Sequence, residues 1–237
     1  MSSEISELRE STVRTADGAD LAVLQAGEAG RPVVLAVHGF ASTAQANWVA
    51  TGWVRALTEA GLGFLAFDLR GHGGSRAATP VGLTQLASDG LAVLDAVGVE
   101  RAHWLGYSLG ARLGLEAAQV EPDRLLSLVL GGIPGNDPTP ERLTTLATEA
   151  GLLTDTLEAF ARGLGPGGGV PPAPPAGLPT LVVVGDADDV AADAVSWAEA
   201  RELPIRTLPG RTHANAVSAR AFKEAAIEVM TSVSGPD

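Results

Sequence analysis

The chain contains no cysteine among its 237 residues. This excludes disulfide bonds, thiolate nucleophiles and cysteine metal ligands from its chemistry. No stretch approaches the roughly 18 uncharged apolar residues that a membrane-spanning helix requires. Basic residues are also few, since 16 Lys and Arg stand against 28 Asp and Glu and give a formal net charge of −12. Such a charge repels nucleic-acid phosphates and anionic lipid surfaces, so we expect neither as a partner.

Aromatic residues make up 4% of the chain, but hydrophobic residues as a whole make up 46%, which is enough for a full core. A length of 237 residues suits one sizeable α/β domain, and we expect residues 1–237 to form a single unit. The first ten residues, MSSEISELRE, are polar and lack the apolar segment of a secretory signal, which favours a cytoplasmic protein. Nothing in the composition predicts an oligomeric state.

The hydrophobic pattern predicts a doubly wound, mostly parallel sheet. An Asp-Gly pair at residues 17–18 separates two extended runs, which is typical of an antiparallel hairpin. After residue 30 the chain shows short continuous apolar runs, as expected for strands that helices cover on both faces. These runs lie at residues 33–37, 64–67, 102–107, 126–130 and 181–184.

Helical periodicity alternates with these runs. Apolar residues recur at spacings of three and four over residues 83–97 and 222–233, and less regularly over 48–60. Residues 136–177 break the alternation with two modest helical patches, around 141–150 and 155–162, and a Gly/Pro-rich stretch. Twelve of the 17 residues from 163 to 179 are Gly or Pro, a composition typical of irregular loops. We interpret 136–177 as a small lid insertion within the domain.

The central motif is G-Y-S-L-G at residues 106–110, between an apolar run and a helical one. A nucleophilic serine at the sharp turn between a strand and a helix requires this setting. Glycines on either side allow the backbone to approach closely, where a Cβ would clash. The motif predicts Ser108 as a nucleophile, and the alternative is a serine that merely ends a strand.

Together with this motif, four further segments resemble the α/β-hydrolase superfamily over nearly the whole chain. The sequence HGF at 38–40 resembles the family's loop after the third strand, and DLRGHGGS at 68–75 resembles the loop after the fourth. GDAD at 185–188 and GRTH at 210–213 are similar to the motifs of the acid and the histidine. The order Ser, Asp, His is the order of this fold. The resemblance implies Ser108 as nucleophile, Asp188 as acid and His213 as general base.

The acid has alternatives. Asp186 and Asp189 also follow the apolar run at 181–184, and either could orient His213 in place of Asp188. Some relatives carry the acid after the preceding strand, where Asp137 is the nearest candidate. His213 could instead be a histidine that caps nearby backbone at the start of a helix.

The backbone N–H groups of Phe40 and Leu109 are the expected oxyanion donors, because two such donors stabilise the charge that develops on the carbonyl oxygen. We expect Gly39, Phe40 and Tyr107 to line the substrate pocket, although ordinary packing would also explain both aromatic residues. The elbow sequence around Arg112 is similar to that of the menaquinone-pathway succinyl-hydroxycyclohexadiene carboxylate synthases. That likeness implies a substrate carboxylate on Arg112, while a helix salt bridge is the alternative.

These features predict an esterase-like enzyme that acts on a small carboxylic ester, or a related carbonyl compound, through an acyl-enzyme intermediate. The alternatives are a lyase or synthase that uses Ser108 and His213 as a base and, outside the enzymes, a ligand-binding protein on the same fold. The four histidines lack metal-binding spacing, and neither Gly-rich stretch fits a nucleotide motif, so we expect no metal and no cofactor.

Overall fold

A computed structural model describes residues 7–75, 81–149, 151–167 and 169–233. In these residues eight strands form one sheet in the order β1-β2-β4-β3-β5-β6-β7-β8. The first two strands form an antiparallel hairpin, β2 pairs antiparallel with β4, and the pairs from β4 through β3 to β8 are parallel. The strands are β1 Arg9–Arg14, β2 Asp20–Ala26, β3 Val33–Val37, β4 Gly63–Phe67, β5 Ala102–Tyr107, β6 Leu125–Gly131, β7 Thr180–Gly185 and β8 Ile205–Leu208.

Helices cover both faces of the sheet, which explains the continuous apolar runs of its central strands. The helices are α1 Trp53–Glu59, α2 Leu83–Ala96, α3 Leu109–Val120, α4 Pro140–Glu149, α5 Asp155–Gly163, α6 Ala194–Glu199, α7 His213–Ala216 and α8 Arg220–Ser232. Side chains of α2, α3 and α6 pack in the core on one face, and those of α1 and α8 pack on the other. None of the helices in the described part of the chain combines the length and apolar character needed to cross a membrane.

The hydrophobic pattern located the hairpin, the five apolar strands and the two long helices to within a few residues. It did not locate β8, where the pattern is weak: Ile205, Arg206 and Thr207 retain solvent exposure at the edge of the sheet and Leu208 is buried. The predicted helix over 48–60 is divided in two. A π-helical turn, Gln45–Val49, comes first, and Gly52 with φ of 81° separates it from α1. A left-handed residue cannot continue an α-helix, which explains the break.

The insertion at 136–177 contains both expected helices, α4 and α5, although residues 150 and 168 lie outside the described residues. Leu143 and Ala147 of α4 and three residues of α5 are buried: Leu157, Phe160 and Ala161. The insertion therefore has a packed apolar base beside its Gly/Pro-rich segment, which the composition alone did not indicate.

His103 lies in the middle of β5 and is 1% exposed. Its Nδ1 lies 2.9 Å from Ser127 Oγ on the neighbouring strand β6. Burial lowers the pKa of His103 to about 4, from an ordinary value of 6.5, because the charged imidazolium is poorly solvated there. The folded protein therefore carries this ring neutral at pH 7.

Replacing His103 by leucine should change how stability depends on pH. Between pH 6.5 and 4 the unfolded chain protonates His103 and the folded protein does not, so this residue lowers stability as the pH falls. The unfolding free energy of the wild type, minus that of His103→Leu, should therefore fall by about 2 kcal/mol from pH 7.5 to 5. Urea unfolding followed by tryptophan fluorescence measures it, and a difference that stays constant with pH would contradict the buried neutral ring.

Candidate active site

Ser108 occupies the sharp turn between β5 and α3. Its backbone has φ of 54° and ψ of −115°, a conformation that side-chain-bearing residues rarely adopt and that costs on the order of 1–3 kcal/mol. Hydrogen bonds hold the turn in place: the Ser108 N–H donates to Gly131 O at 2.8 Å, and the N–H groups of Ala111 and Arg112 donate to Ser108 O. The strain presents the hydroxyl at the carboxyl edge of the sheet, where ligands bind in open α/β folds.

The two glycines of the motif are required by close backbone contacts. A Cβ on Gly106 would lie 2.2 Å from Gly110 O, and a Cβ on Gly110 would lie 2.0 Å from Val37 O. Both distances are far inside van der Waals contact with backbone that cannot move aside. The strand–turn–helix therefore packs directly against the end of β3.

His213, the first residue of α7, is paired with Asp188 from the loop after β7. Its Nδ1 lies 2.9 and 3.0 Å from the two carboxylate oxygens. The Asp188 side chain is fully buried, and one of its oxygens also accepts hydrogen bonds from the N–H groups of Val190 and Ala191. A Cβ on Gly185 would lie 1.9 Å from Arg211 O, so the acid loop and the histidine loop run in close contact.

The other candidate acids lie elsewhere. Asp186 is exposed and accepts a 2.6 Å hydrogen bond from the Gly210 N–H, which ties the two loops together. Asp189 is exposed at the wall of a cavity. Asp137 is paired with Arg112, and both line a cavity that His213 does not line. Asp188 is the one of these four carboxylates whose contact with His213 the structure records.

The loop after β3 passes over Ser108. A Cβ on Gly39 would lie 3.2 Å from Ser108 Cβ, so the next residue, Phe40, is close to the serine. In the described part of the chain, neither the Phe40 N–H nor the Leu109 N–H donates a hydrogen bond to another residue. An oxyanion hole needs N–H donors that no protein group occupies, so Phe40 and Leu109 stay the predicted donors.

Two buried histidines hold this loop. His38 Nε2 accepts a hydrogen bond from the Leu69 N–H, and His72 Nε2 accepts one from the N–H of Ala41, whose φ is 58°. Burial lowers the pKa of His38 to about 4 and that of His72 to about 3, so both rings are neutral and can accept. Asp68 accepts from the Ala44 N–H at 2.8 Å and continues the same network.

Phe160 of α5 connects the insertion to this loop and was not singled out by its sequence. It is fully buried, stacks on Phe40 with centroids 5.8 Å apart and meets His72 edge to face at 4.7 Å. The sequence shows only an aromatic residue in a weakly periodic helical segment. An ordinary core residue gives the same pattern, so the sequence did not indicate a role near the site.

Two cavities meet at Ser108. The larger, about 570 Å³, is lined by His213 together with Gly39, Phe40 and Tyr107, and α4 supplies apolar wall through Leu143, Leu146 and Ala147. The smaller, about 240 Å³, is lined by Leu109, Arg112, Asp137 and Leu164, among others. Pro134, Pro138 and Leu143 line both cavities, as Ser108 does.

Tyr107 and Arg112 are both held by other protein groups. The Tyr107 hydroxyl donates a 2.6 Å hydrogen bond to His213 O, and burial raises the pKa of Tyr107 so that it stays protonated. The Arg112 guanidinium donates to Asp137 at 2.9 Å and to Glu116 at 2.8 Å. The helix salt bridge considered for Arg112 is present, and binding of a substrate carboxylate there stays a prediction that this pairing disfavours.

A mostly parallel sheet flanked by helices, with its chemistry-bearing loops at the carboxyl ends of the strands, defines the class of doubly wound α/β proteins. The chain belongs to the alpha/beta hydrolase fold family, whose model matches residues 32–166. Among the described residues, no three His, Asp or Glu side chains form a cluster that could hold a metal ion.

Several characterised relatives are similar to this chain. Epoxide hydrolase A of Mycobacterium tuberculosis is 37% identical over 121 residues, which are 50% of this chain and 37% of that protein. A pimeloyl-(acyl-carrier protein) methyl ester esterase of Methylococcus capsulatus is 34% identical over 137 residues, 55% of this chain and 51% of the esterase. The crystal structure of a hydrolase from Pseudomonas aeruginosa PA01 superposes with a TM-score of 0.75 at 27% identity, covering 93% of this chain and 98% of that one. The matched segments thus span between about a third and a half of the two curated relatives.

Asp188→Asn should lower kcat by roughly 10³- to 10⁴-fold while the protein stays folded. Without the carboxylate, His213 can adopt the wrong tautomer and its imidazolium is left without a counter-charge. Asp186→Asn is the matched control, since it removes an exposed carboxylate from the same loop, and it should cost less than about tenfold. Rates of p-nitrophenyl acetate hydrolysis compare the two, and a larger loss in Asp186→Asn would assign the acid to that residue.

Proposed function

We propose that the protein is a serine hydrolase that cleaves small carboxylic esters, or related carbonyl compounds, through an acyl-enzyme intermediate. The observation that carries this proposal is the strained turn at Ser108. Ser108 lines the same cavity as His213, and His213 Nδ1 is hydrogen bonded to the buried carboxylate of Asp188. The hydrolase and esterase named among the relatives support hydrolysis as the reaction class.

In the proposed reaction, His213 Nε2 takes the proton of the Ser108 hydroxyl as the oxygen attacks the substrate carbonyl carbon. The carbonyl oxygen becomes an oxyanion and accepts hydrogen bonds from the Phe40 and Leu109 N–H groups. His213 then gives its proton to the leaving oxygen, and the carbon–oxygen bond breaks to leave an ester on Ser108. Water, deprotonated by His213, attacks the carbonyl carbon of that ester; the bond to Ser108 Oγ breaks, His213 returns the proton to this oxygen, and the acid is released. Asp188 stabilises the imidazolium in both halves.

The two cavities suggest how the substrate lies. The leaving oxygen must reach His213, which lines the larger cavity, so the leaving group belongs there. The acyl group stays on Ser108 and belongs in the smaller cavity of about 240 Å³, which His213 does not line. In a small acyl cavity, kcat/KM should stop increasing after a few carbons of acyl chain. The reason is that each further methylene contributes about 0.8 kcal/mol only when it is buried.

The lyase or synthase alternative depended on a free arginine near the serine. Arg112 is instead shared between Asp137 and Glu116. Burial raises the pKa of Asp137 even beside Arg112. No excess positive charge remains there to hold a substrate carboxylate, so the ester hydrolase is the function that we propose.

Ser108 should be labelled covalently by a fluorophosphonate probe. The probe's phosphorus takes the place of the carbonyl carbon and requires an activated hydroxyl. Intact-mass spectrometry should show one adduct on the wild type and none on Ser108→Ala. Ser127→Ala is a control that should label normally, since Ser127 is buried in β6 away from the cavities. An unlabelled wild type would overturn the nucleophile.

Across p-nitrophenyl esters from acetate to palmitate, kcat/KM should be greatest at butyrate or shorter. Leu164→Ala, which widens the smaller cavity, should shift the maximum to longer acyl chains. Leu152→Ala is the matched control, because Leu152 lines the larger cavity alone, and it should leave the maximum where it is. A wild-type maximum at decanoate or longer would show that the acyl group uses a deeper space than the smaller cavity.

A further inference from the structure

Asn47 lies in the π-helical turn Gln45–Val49 and is a buried polar residue that the proposed reaction does not use. It is 6% exposed, and it lines the larger cavity together with Ser108 and His213. Its backbone groups are satisfied, since the N–H donates to Thr43 O and the carbonyl accepts from the Thr51 hydroxyl. Among the described residues, its side-chain amide has no hydrogen-bond partner.

Buried polar groups in native proteins are generally hydrogen bonded, and the Asn47 amide is reached from the cavity that this residue lines. The wall of this cavity also carries the polar side chains of Ser42, Asp189 and Thr212, and among the described residues none of them is hydrogen bonded to the Asn47 amide. The Thr51 hydroxyl, on the same wall, donates to backbone. The hydrogen-bond partner of this amide therefore comes from the cavity: solvent in the free protein, and a polar group of the substrate when one is bound.

The turn that carries Asn47 is fixed on both sides. At its start, the Ala44 N–H donates to Asp68. The next residue, Trp48, is fully buried and meets Trp53 edge to face at 5.7 Å. A π-helical turn is a rare departure from α-helix that is frequent at functional sites, and here it holds one amide at a set position in the cavity wall.

We propose that Asn47 determines specificity by hydrogen bonding to a neutral polar group on the leaving-group half of the substrate. An amide both donates and accepts, so its match is a group that does the same, such as a hydroxyl or a carboxamide. The substrate class is then esters of small acids with alcohols that carry a second hydroxyl or an amide. This rests on the proposed function, because it places the leaving group in the larger cavity.

The test uses pairs of acetate esters that differ in one terminal group, hydroxyl against methyl. 4-Hydroxybutyl acetate and pentyl acetate have the same number of non-hydrogen atoms, and homologues one carbon shorter and longer vary the reach. Acid release is followed in a pH-stat. Wild type should prefer the hydroxy ester of the best pair by about tenfold or more in kcat/KM, because a site built to bond a hydroxyl rejects the analogue that lacks it.

Asn47→Leu should remove this preference or reverse it, and Asn47→Ala should remove it too if the leucine variant does not fold. Gln45→Leu is the matched control: it makes the same change of chemistry in the same turn, but Gln45 is exposed and does not line the cavity. It should keep the wild-type preference. Each ester is also added as a competitor during fluorophosphonate labelling of Ser108. The slowing of labelling then measures the preference between the two esters of a pair when their hydrolysis is too slow to follow.

The outcomes separate the two proposals. Equal preference in wild type and in both Asn47 variants, with Ser108 labelled in all, would overturn the role of Asn47 and leave the serine hydrolase standing. If Gln45→Leu also loses the preference for the hydroxy ester, the preference depends on the conformation of the π-helical turn and not on the Asn47 amide, which would overturn the proposal. Hydrolysis that persists in Ser108→Ala would overturn the proposed function itself.

Discussion

Gly110 places the first turn of α3 against the carboxyl end of β3, with no room for a side chain between them. A Cβ there would lie 2.0 Å from Val37 O, and one on Gly106 would lie 2.2 Å from Gly110 O. Ser108 lies next to this contact with a strained backbone of φ 54° and ψ −115°, and a hydrogen bond from its N–H to Gly131 O ties it to the sheet. The same contact brings the loop after β3 over the serine. The position of the hydroxyl and that of the proposed oxyanion donors therefore follow from one close approach of backbone.

Two neutral histidines hold the loops around that contact, together with the Asp68 carboxylate. His38 and His72 can accept backbone N–H groups because burial lowers their pKa values to about 4 and 3 and keeps them neutral. A protonated ring could not accept, and two positive charges would lie with ring centroids 5.2 Å apart. Negative charge near the site lies on the buried Asp188, on the Arg112 cluster and on Asp68, which accepts from the Ala44 N–H. The two histidines therefore add no positive charge to the loop that carries the proposed oxyanion donors.

The hydrophobic pattern located the elements that are buried uniformly along their length. The strands β3, β5 and β7 are buried on both faces, and the helices α2 and α8 are buried along one face. It missed β8 because edge exposure weakens the pattern there, and α6 and α7 because helices of six and four residues are too short to show a period. The choice among Asp186, Asp188 and Asp189 depended on resemblance, since three carboxylates in one loop differ only in how the loop folds. Asn47 gave no signal, because a π-helical turn depends on tertiary contacts of Ala44 and Trp48 that no local pattern contains.

The insertion connects the shape of both cavities to the geometry of the serine. Leu143 of α4 lines the two cavities at once, and Phe160 of α5 stacks on Phe40, whose N–H is a proposed oxyanion donor. A change in how α4 and α5 pack would therefore alter the volume on either side of Ser108 and also press on the loop above it. Substrate size and the orientation of the reacting carbonyl cannot then vary independently.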